Sequence, residues 1–308
     1  HPANTLSLHD ALPILPEAPI KPNKKLNIVI GFMVGLAISI ILAFMIEYLD
    51  NTIKDEDDVD RYLELPMMGL IPKQNKLVNL IVEKQPKSNV TEAFKSMRTN
   101  LLFSMENRGI NTLMVSSSSP KEGKTSVSTN IAFAIAKTGK SVLLIDCDLR
   151  KPCVHKYFNI SNRVGLVDVI LKESKVEEVI IKINDKLNVI TAGIVNCNSA
   201  ELLSSQKMKA FINNMEKQYD YVILDTPPII AFTDALALIN EKIGVILVIC
   251  AEQSKIGFCK KSKQLLANVN ATLIGVVLNK VDKRAFVGYG YDYYTRGKEK
   301  KNKHILNN

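Results

Sequence analysis

A polar turn between two apolar stretches limits what this chain can fold into. Residues 115–128 read VSSSSPKEGKTSVS. The apolar run at 112–115 is typical of a buried strand, and residues 127–137 are predicted to form a helix. A Gly-Lys-Thr triplet where a strand gives way to a helix is the setting of a phosphate-binding loop, because free backbone N–H groups and the helix dipole attract anions there.

Each residue of the triplet has a predicted task. Gly123 lets the backbone approach a phosphate, Lys124 reaches the β- and γ-phosphate oxygens, and the Thr125 hydroxyl holds Mg²⁺. The complete pattern, G-x-x-x-x-G-K-[ST], has glycine where this chain has Ser118. An ordinary strand-to-helix loop therefore remains an alternative at this point. The residues predicted to surround the nucleotide are Ser119, Pro120, Lys121, Glu122, Gly123, Lys124, Thr125 and Ser126.

Carboxylates follow two later apolar runs, as DCDLR at residues 146–150 and as DTPP at residues 225–228. We expect Lys124, Asp146, Asp148 and Asp225 to form the catalytic group. Mg²⁺ prefers oxygen ligands, which suits Thr125, Asp148 and Asp225. One of the paired aspartates would steer the metal while the other accepts a proton from an attacking hydroxyl. A helix cap is the alternative for either aspartate. Arg150 either contacts phosphate or pairs with an acid.

Apolar runs alternate with helical stretches along the rest of the chain. This order predicts an α/β fold of the P-loop NTPase type, a doubly wound parallel sheet with helices on both faces, preceded by one transmembrane helix. In such sheets, ligands bind beyond the carboxyl ends of the strands, where the loop and the three aspartates all fall. The predicted strands are 112–115, 141–145, 187–191, 220–224, 245–250 and 272–278.

An uncharged stretch at residues 26–46 is long enough, at about 30 Å as a helix, to cross a bilayer core. A buried helix of a soluble protein is the alternative. We place its C-terminal side in the cytoplasm, against the flanking charges, because the loop needs cytosolic nucleotide. The chain begins with His1 and is expected to be a fragment. The predicted segments are 1–25 (lead-in), 26–46 (transmembrane helix), 47–89 (juxtamembrane segment and linker), 90–284 (P-loop domain) and 285–308 (tyrosine cluster and basic tail).

Net charge and cysteine content bear on the role of the tail and on the redox compartment. The net charge of +9 is widely spread, with a local excess of lysine and arginine in the tail. That tail is interpreted as a solvated end, with anionic lipid or an acidic partner as the alternative. The five cysteines form no C-x-x-C pair, so we interpret them as reduced cytosolic thiols instead of a disulfide or metal framework.

Two further features concern partners and acceptors. Glu92, Lys95 and Arg98 lie three apart on a predicted helix at 91–104, so they share a face that is either solvated or a subunit contact. Near the end of the chain, residues 288–294 read GYGYDYY. The alternative for this cluster is an aromatic tail without a catalytic role. Its tyrosines are Tyr289, Tyr291, Tyr293 and Tyr294.

Three motifs together resemble the bacterial tyrosine autokinases of capsule and exopolysaccharide synthesis, which are deviant-Walker P-loop ATPases. They are SSSSPKEGKT at 116–125, VLLIDCDLRKP at 142–152 and YDYVILDTPP at 219–228. The resemblance extends over residues 19–294, and the apolar stretch is similar to the last transmembrane segment of the polysaccharide co-polymerase domain. Residues 92–100 match the family's EAYRxLRTN, with lysine at 95 in place of arginine. Its NPSELL segment is matched at 198–203 with serine in place of proline.

The resemblance implies ATP and Mg²⁺ as cofactors, adenine contact by Asn279 within NKVD, and phosphorylation of the tail tyrosines in trans. It also implies a ring of subunits held through Glu92, Lys95 and Arg98. The implied partners are the polysaccharide polymerisation and export machinery, membrane lipid and a tyrosine phosphatase, with no nucleic acid. The implied location is the bacterial inner membrane, with the kinase domain in the cytoplasm and an external domain upstream.

Two other functions share parts of this pattern. A membrane-tethered partition or septum-site ATPase has the same carboxylates but does not need the tyrosine cluster. A non-catalytic chain-length regulator would bind nucleotide without transferring phosphate. Phosphotyrosine in the tail after incubation with Mg-ATP separates the three.

Overall fold

An eight-stranded sheet organises the computed structural model, which describes residues 23–74, 80–172 and 174–282. Its strands are β1 (Met67–Pro72), β2 (Thr112–Ser117), β3 (Val142–Asp146), β4 (Ile181–Lys182), β5 (Leu187–Ile190), β6 (Tyr221–Asp225), β7 (Ile243–Cys250) and β8 (Thr272–Val281). They lie in the order β1-β8-β7-β2-β6-β3-β5-β4. All pairs are parallel except β4 with β5.

Helices connect most of the strands. They are α1 (Lys24–Leu49), α2 (Glu56–Leu63), α3 (Ile81–Lys84), α4 (Asn89–Glu106), α5 (Lys124–Ala136), α6 (Val154–Phe158), α7 (Leu166–Lys172), α8 (Val176–Val179), α9 (Ser199–Ser204), α10 (Gln206–Gln218) and α11 (Ile256–Asn268). A 3₁₀ helix spans Thr233–Leu238. The predicted helix at 91–104 lies within α4. Helix α5 begins three residues before the predicted start at 127.

The central strands are mostly apolar because both faces of the sheet are covered. Every residue of β2, β3, β6 and β7 is buried. Neighbours along a strand point to opposite faces, so Leu143 joins one hydrophobic cluster and Leu144 joins the other. This confirms the predicted doubly wound parallel sheet with helices on both faces.

Helix α1 is the candidate for a membrane span within the described part of the chain. Its best window has a mean hydropathy of 2.8, and none of its residues is buried. It encloses the predicted 26–46 stretch and begins earlier, because the Asn23 side chain accepts a hydrogen bond from Leu26 N–H (3.3 Å) and starts the helix ahead of two lysines. Helix α1 and the sheet belong to separate compact units, divided between residues 51 and 52.

The start of the sheet-containing unit corrects a prediction. Sequence analysis assigns 47–89 to a juxtamembrane segment and linker and starts the domain near residue 90, but the compact unit begins at Thr52. Within 52–89, β1 pairs with β8 and so covers the edge of the sheet. The strand is short and ends at Pro72, so its sequence is a strand-like run that stands apart from the predicted domain, ahead of the polar stretch 73–89. Helix α4 packs on it so closely that a Cβ at Gly69 would lie 2.8 Å from Met97 Cβ.

We therefore predict different behaviour for two truncations. A fragment starting at Thr52 keeps β1 and unfolds in one cooperative transition. A fragment starting at Val90 exposes the β8 edge and the apolar surface under Leu70 and Ile71, so its thermal midpoint falls by about 10 °C or more, or it aggregates. Circular dichroism melting of both fragments provides the measurement. Equal midpoints would show that β1 is dispensable.

Candidate functional site

The loop between β2 and α5 has the backbone shape that a phosphate-binding loop needs. Its positive φ angles belong to Lys121 (68°) and Gly123 (100°). Ser118, which stands where the usual pattern has glycine, follows β2 without a positive φ, and its carbonyl accepts a hydrogen bond from Ile230 N–H (3.4 Å). The position therefore has no need of glycine's conformational freedom.

Gly123 is required by a close contact. A Cβ at this position would lie 2.1 Å from Asn279 Nδ2. That amide nitrogen donates to the Glu122 carbonyl (2.9 Å), and Asn279 Oδ1 accepts from Lys280 N–H (2.9 Å). Asn279 thus holds the loop from the end of β8. Its predicted contact with adenine stays a prediction.

Lys124 and two carboxylates come together at the carboxyl ends of three adjacent strands. The Lys124 ammonium lies 2.6 Å from Asp148 Oδ2 and 3.7 Å from Asp225 Oδ2. Thr125 donates its hydroxyl to Asp225 Oδ2 (2.7 Å). The loop follows β2, Asp225 ends β6 and Asp148 follows β3, and these strands are neighbours in the sheet. The structure brings together the four predicted residues that would hold phosphate and metal.

In this group, burial and the neighbouring charges shift the pKa of Lys124 in opposite directions. Burial lowers the pKa of Lys124, but the Asp225 and Asp148 carboxylates outweigh it, so the pKa lies above its ordinary value. Burial also raises the pKa of Asp225, which is fully buried. Lys124 is therefore a permanent cation at working pH. One ammonium lies among several buried carboxylates, and next to burial the charges of these carboxylates raise one another's pKa.

Asp146 has a different task from Asp148. Its Oδ2 accepts from the N–H groups of Cys153 and Val154 (both 3.0 Å), and its Oδ1 accepts from Asp148 N–H (3.2 Å). The side chain thus shapes the turn between β3 and α6, as the helix-cap alternative expects. Burial, followed by the charge of Asp225, raises its pKa. Asp148 is the paired aspartate whose carboxylate touches Lys124.

Arg150 pairs with an acid. Its guanidinium donates two bonds to the Asp234 carboxylate, from Nε at 2.7 Å and from an Nη at 3.1 Å. It also lies over the Phe232 ring, with Cζ 4.3 Å from the ring centroid. The predicted contact between Arg150 and nucleotide stays a prediction, but the pairing explains the position of this side chain without a ligand.

Glu122 turns inward. Although the sequence predicts it beside the nucleotide, its side chain is 1% exposed. One carboxylate oxygen accepts Ser119 N–H (2.8 Å) and the other accepts the hydroxyl of Ser254. Burial raises its pKa to about 7. Its carboxylate stabilises the loop from the side that faces the protein interior.

The predicted contact face on α4 is divided between two roles. Lys95 pairs with Glu92 (2.8 Å), and both side chains are more than 40% exposed. Arg98 instead donates to the Ala134 carbonyl (3.2 Å) in the last turn of α5, a favourable place for a cation. Glu92 and Lys95 remain exposed for a subunit contact. The tyrosine cluster and basic tail lie outside the described residues.

Two observations indicate that a nucleotide and a divalent cation fit this site. The α5 N-terminus, at Gly123, has no side-chain cap, so its first N–H groups are suited to phosphate oxygens. Asp225 Oδ1 is buried and has no hydrogen-bond partner within the described part of the chain. A carboxylate oxygen in that situation, beside the Thr125 hydroxyl, suits Mg²⁺. Thr125, Asp148 and Asp225 are the residues that would hold it.

A cavity of about 640 Å³ lies at the opposite edge of the sheet, among the residues that precede β2, β6 and β7. Two of its carboxylates are already engaged, since Tyr221 donates to Glu106 (3.2 Å) and Thr112 donates to Glu216 (2.6 Å). The carboxyl edge, with its buried charge and uncapped helix, is the stronger candidate.

Sequence reasoning missed two residues that shape the site. Ser254 holds Glu122, and Asp234 holds Arg150. Each is far from its partner along the chain and lies in no motif. A buried carboxylate and a half-exposed guanidinium both need partners. Which residues serve as partners becomes clear only once the fold is known.

Comparisons with known proteins identify similar sequences and similar folds. The AAA domain family matches residues 119–274. The tyrosine-protein kinase YwqD of Bacillus subtilis strain 168 is 41% identical over 214 residues, covering 68% of this chain and 90% of YwqD. The tyrosine-protein kinase Etk of Escherichia coli K12 is 32% identical over 298 residues. This alignment covers 89% of the chain but only 41% of Etk.

A solved structure extends the match to the fold. The kinase domain of the Escherichia coli tyrosine kinase ETK aligns with a TM-score of 0.67 at 30% identity. The alignment covers 72% of this chain and 92% of that domain. Sequence and fold therefore lead to the same kind of protein.

Glu122 predicts a measurable pH dependence of stability. Between pH 4.5, the ordinary pKa, and about 7, the unfolded chain releases this proton while the folded chain keeps it, so the folded state loses stability as pH rises. The shift corresponds to about 3 kcal/mol. Glu122→Gln carries no charge, so its thermal midpoint should rise relative to that of the unaltered chain between pH 5 and pH 8.

The measurement compares thermal midpoints of the detergent-purified chain at both pH values. Glu92→Gln, which alters an exposed carboxylate, is the control and should leave the pH dependence unchanged. If Glu122→Gln also leaves it unchanged, the buried carboxyl does not titrate as described.

Proposed function

Because this chain belongs to the bacterial tyrosine-protein kinases, we propose that it transfers the γ-phosphoryl group of ATP to tyrosines in the tail of a neighbouring copy. The acceptors are Tyr289, Tyr291, Tyr293 and Tyr294. The observation that supports this proposal is the meeting of Lys124 with Asp148 and Asp225 beside the uncapped N-terminus of α5.

Phosphoryl transfer is served mainly by positioning and charge. The N–H groups at the start of α5 and the Lys124 ammonium would hold the phosphates. Thr125 and Asp225, which are already hydrogen-bonded to each other, would present their oxygens to the metal. Mg²⁺, when bound, would neutralise phosphate charge and fix the phosphate geometry.

The tyrosine oxygen forms a bond to phosphorus, ADP leaves, and the phenolic proton must be accepted. Asp148 is suited to accept it, because its side chain lies next to Lys124 and is slightly exposed, whereas Asp146 is fully buried under three backbone N–H donors. Asp148 is therefore assigned as general base, which leaves Thr125 and Asp225 to hold the metal, and Asp146 is assigned as the residue that holds the turn.

Chain length does not by itself decide whose tail enters the site. Strand β8, which ends at Val281, lies four places from β3 in the sheet, or about 19 Å. Tyr289 follows eight residues later, a span of at most about 28 Å. The exposed Glu92 and Lys95 on α4 are proposed as the contact that holds copies in a ring and favours the neighbour's site.

The wider setting is proposed from the family. Helix α1 is the proposed membrane anchor, with the sheet-containing unit in the cytoplasm of a bacterium. The proposed partners are polysaccharide polymerisation and export machinery, membrane lipid and a tyrosine phosphatase. Since the chain spans 41% of Etk, the activity and partners of a longer protein also belong to the proposal.

The proposal predicts phosphorylation between chains. A Lys124→Met chain that keeps its tyrosines is mixed with an active chain whose four tail tyrosines are phenylalanine. Phosphotyrosine should appear on the Lys124→Met chain, which cannot phosphorylate itself once its phosphate-binding cation is gone. Mass spectrometry of the tail peptide identifies the modified residues, and each chain incubated alone with Mg-ATP is the control.

Two outcomes would contradict the proposal in different ways. Phosphotyrosine on the unaltered chain without transfer in the mixture would mean that each chain modifies itself. ATP binding by the unaltered chain with no phosphotyrosine anywhere would favour a non-catalytic chain-length regulator.

The membrane anchor predicts a fractionation result. The full chain should stay in the membrane fraction through alkaline carbonate, because removing the uncharged stretch 26–46 of helix α1 from lipid exposes its apolar surface to water. The fragment that starts at Thr52 should stay in the supernatant. Release of the full chain by carbonate would show that α1 does not span the membrane.

A further inference from the structure

We propose that Ser254 and Glu122 form a buried clasp that positions the phosphate-binding loop, which makes both of them positioning residues for nucleotide binding. The inference deepens the proposed function, since it concerns the same nucleotide site. It assigns a task to a serine that lies outside every motif of the sequence.

The clasp joins the loop to the segment that follows β7. Ser254 donates its hydroxyl to one carboxylate oxygen of Glu122, and the other oxygen accepts Ser119 N–H (2.8 Å). The carboxylate therefore spans the loop on its inner side, from Ser119 at its start to Glu122 beside Gly123. Both side chains are at most 2% exposed, so water does not compete for these bonds.

Ser254 is itself held firmly. Its Oγ accepts Cys250 N–H (2.8 Å), and its own N–H donates to the Cys250 carbonyl (2.9 Å). Its carbonyl accepts Ile53 N–H (2.9 Å). The hydroxyl hydrogen is thereby directed at Glu122, and the loop is tied to the end of a central strand.

The clasp acts on the part of the loop that must meet phosphate. Two other contacts hold the same stretch by its carbonyls, because Asn279 donates to the Glu122 carbonyl (2.9 Å) and Lys280 donates to the Lys121 carbonyl (2.9 Å). With these two carbonyls and the carboxylate engaged, the N–H groups around Gly123 are left for the ligand. Loss of one contact lets the loop sample other positions, and bound nucleotide must then select the competent one.

Two serines of similar burial allow a matched test. Ser254 is 2% exposed and Ser262, on α11, is 0% exposed, but the Ser262 hydroxyl has no hydrogen-bond partner among the described residues. Ser254→Ala and Ser262→Ala remove the same atom from similar surroundings. Only the first breaks the clasp.

The experiment measures the Kd for Mg-ATP by titration calorimetry on the full chain in detergent, together with thermal midpoints without nucleotide. Ser254→Ala should weaken Mg-ATP about tenfold, the effect of one buried hydrogen bond. Ser262→Ala should stay within about twofold.

Kinase assays add a readout that lost stability alone does not move. The KM for ATP should rise in Ser254→Ala while kcat at saturating ATP is kept. If Ser254→Ala does not fold, Ser254→Cys, a weaker hydrogen-bond donor, replaces it with the same expected direction.

Equal Kd values for Ser254→Ala and Ser262→Ala would overturn the clasp, whatever their thermal midpoints, and so would an unaltered chain that binds no Mg-ATP. An unaltered chain that binds Mg-ATP without forming phosphotyrosine would instead contradict the proposed function. The calorimetric comparison of the two serines would still decide on the clasp.

Discussion

The contact between the Lys124 ammonium and two buried carboxylates is the interaction on which the site depends. Asp148 and Asp225 are 4% and 0% exposed, and isolated charges at such depth are costly. The Lys124 ammonium offsets the charge of Asp148, and the Thr125 hydroxyl donates a hydrogen bond to Asp225. The Asp225 oxygen that has no partner among the described residues, beside the Thr125 hydroxyl, explains why a divalent cation fits here.

The sheet makes this contact possible through its register. Asp146 and Asp225 are paired at the ends of β3 and β6, and β2 delivers the loop beside them. The turn that Asp146 stabilises then places the Asp148 carboxylate against the Lys124 ammonium. Because each of these strands is buried on both faces, a shift of one residue would move apolar side chains to the wrong layer as well as dismantle the site.

Much of this arrangement could be predicted from sequence. Apolar runs followed by polar loops gave the strands and the edge at which Lys124, Asp148 and Asp225 meet. Local patterns did not reveal that β1 completes the sheet, because its strand-like run is separated from the predicted domain by the polar stretch 73–89. They also did not show that Glu122 points inward. Its direction is set by Ser254, a partner more than a hundred residues away that only the packed fold brings near.

Direct detection of the product tests the central claim, that this edge of the sheet transfers phosphate to tyrosine. The full chain is incubated with Mg-ATP, and tail peptides are analysed by mass spectrometry beside a Lys124→Met control. The account predicts phosphate on tyrosines between 289 and 294 in the unaltered chain and none in the control. Tail peptides free of phosphate, from a chain that binds Mg-ATP, would contradict it.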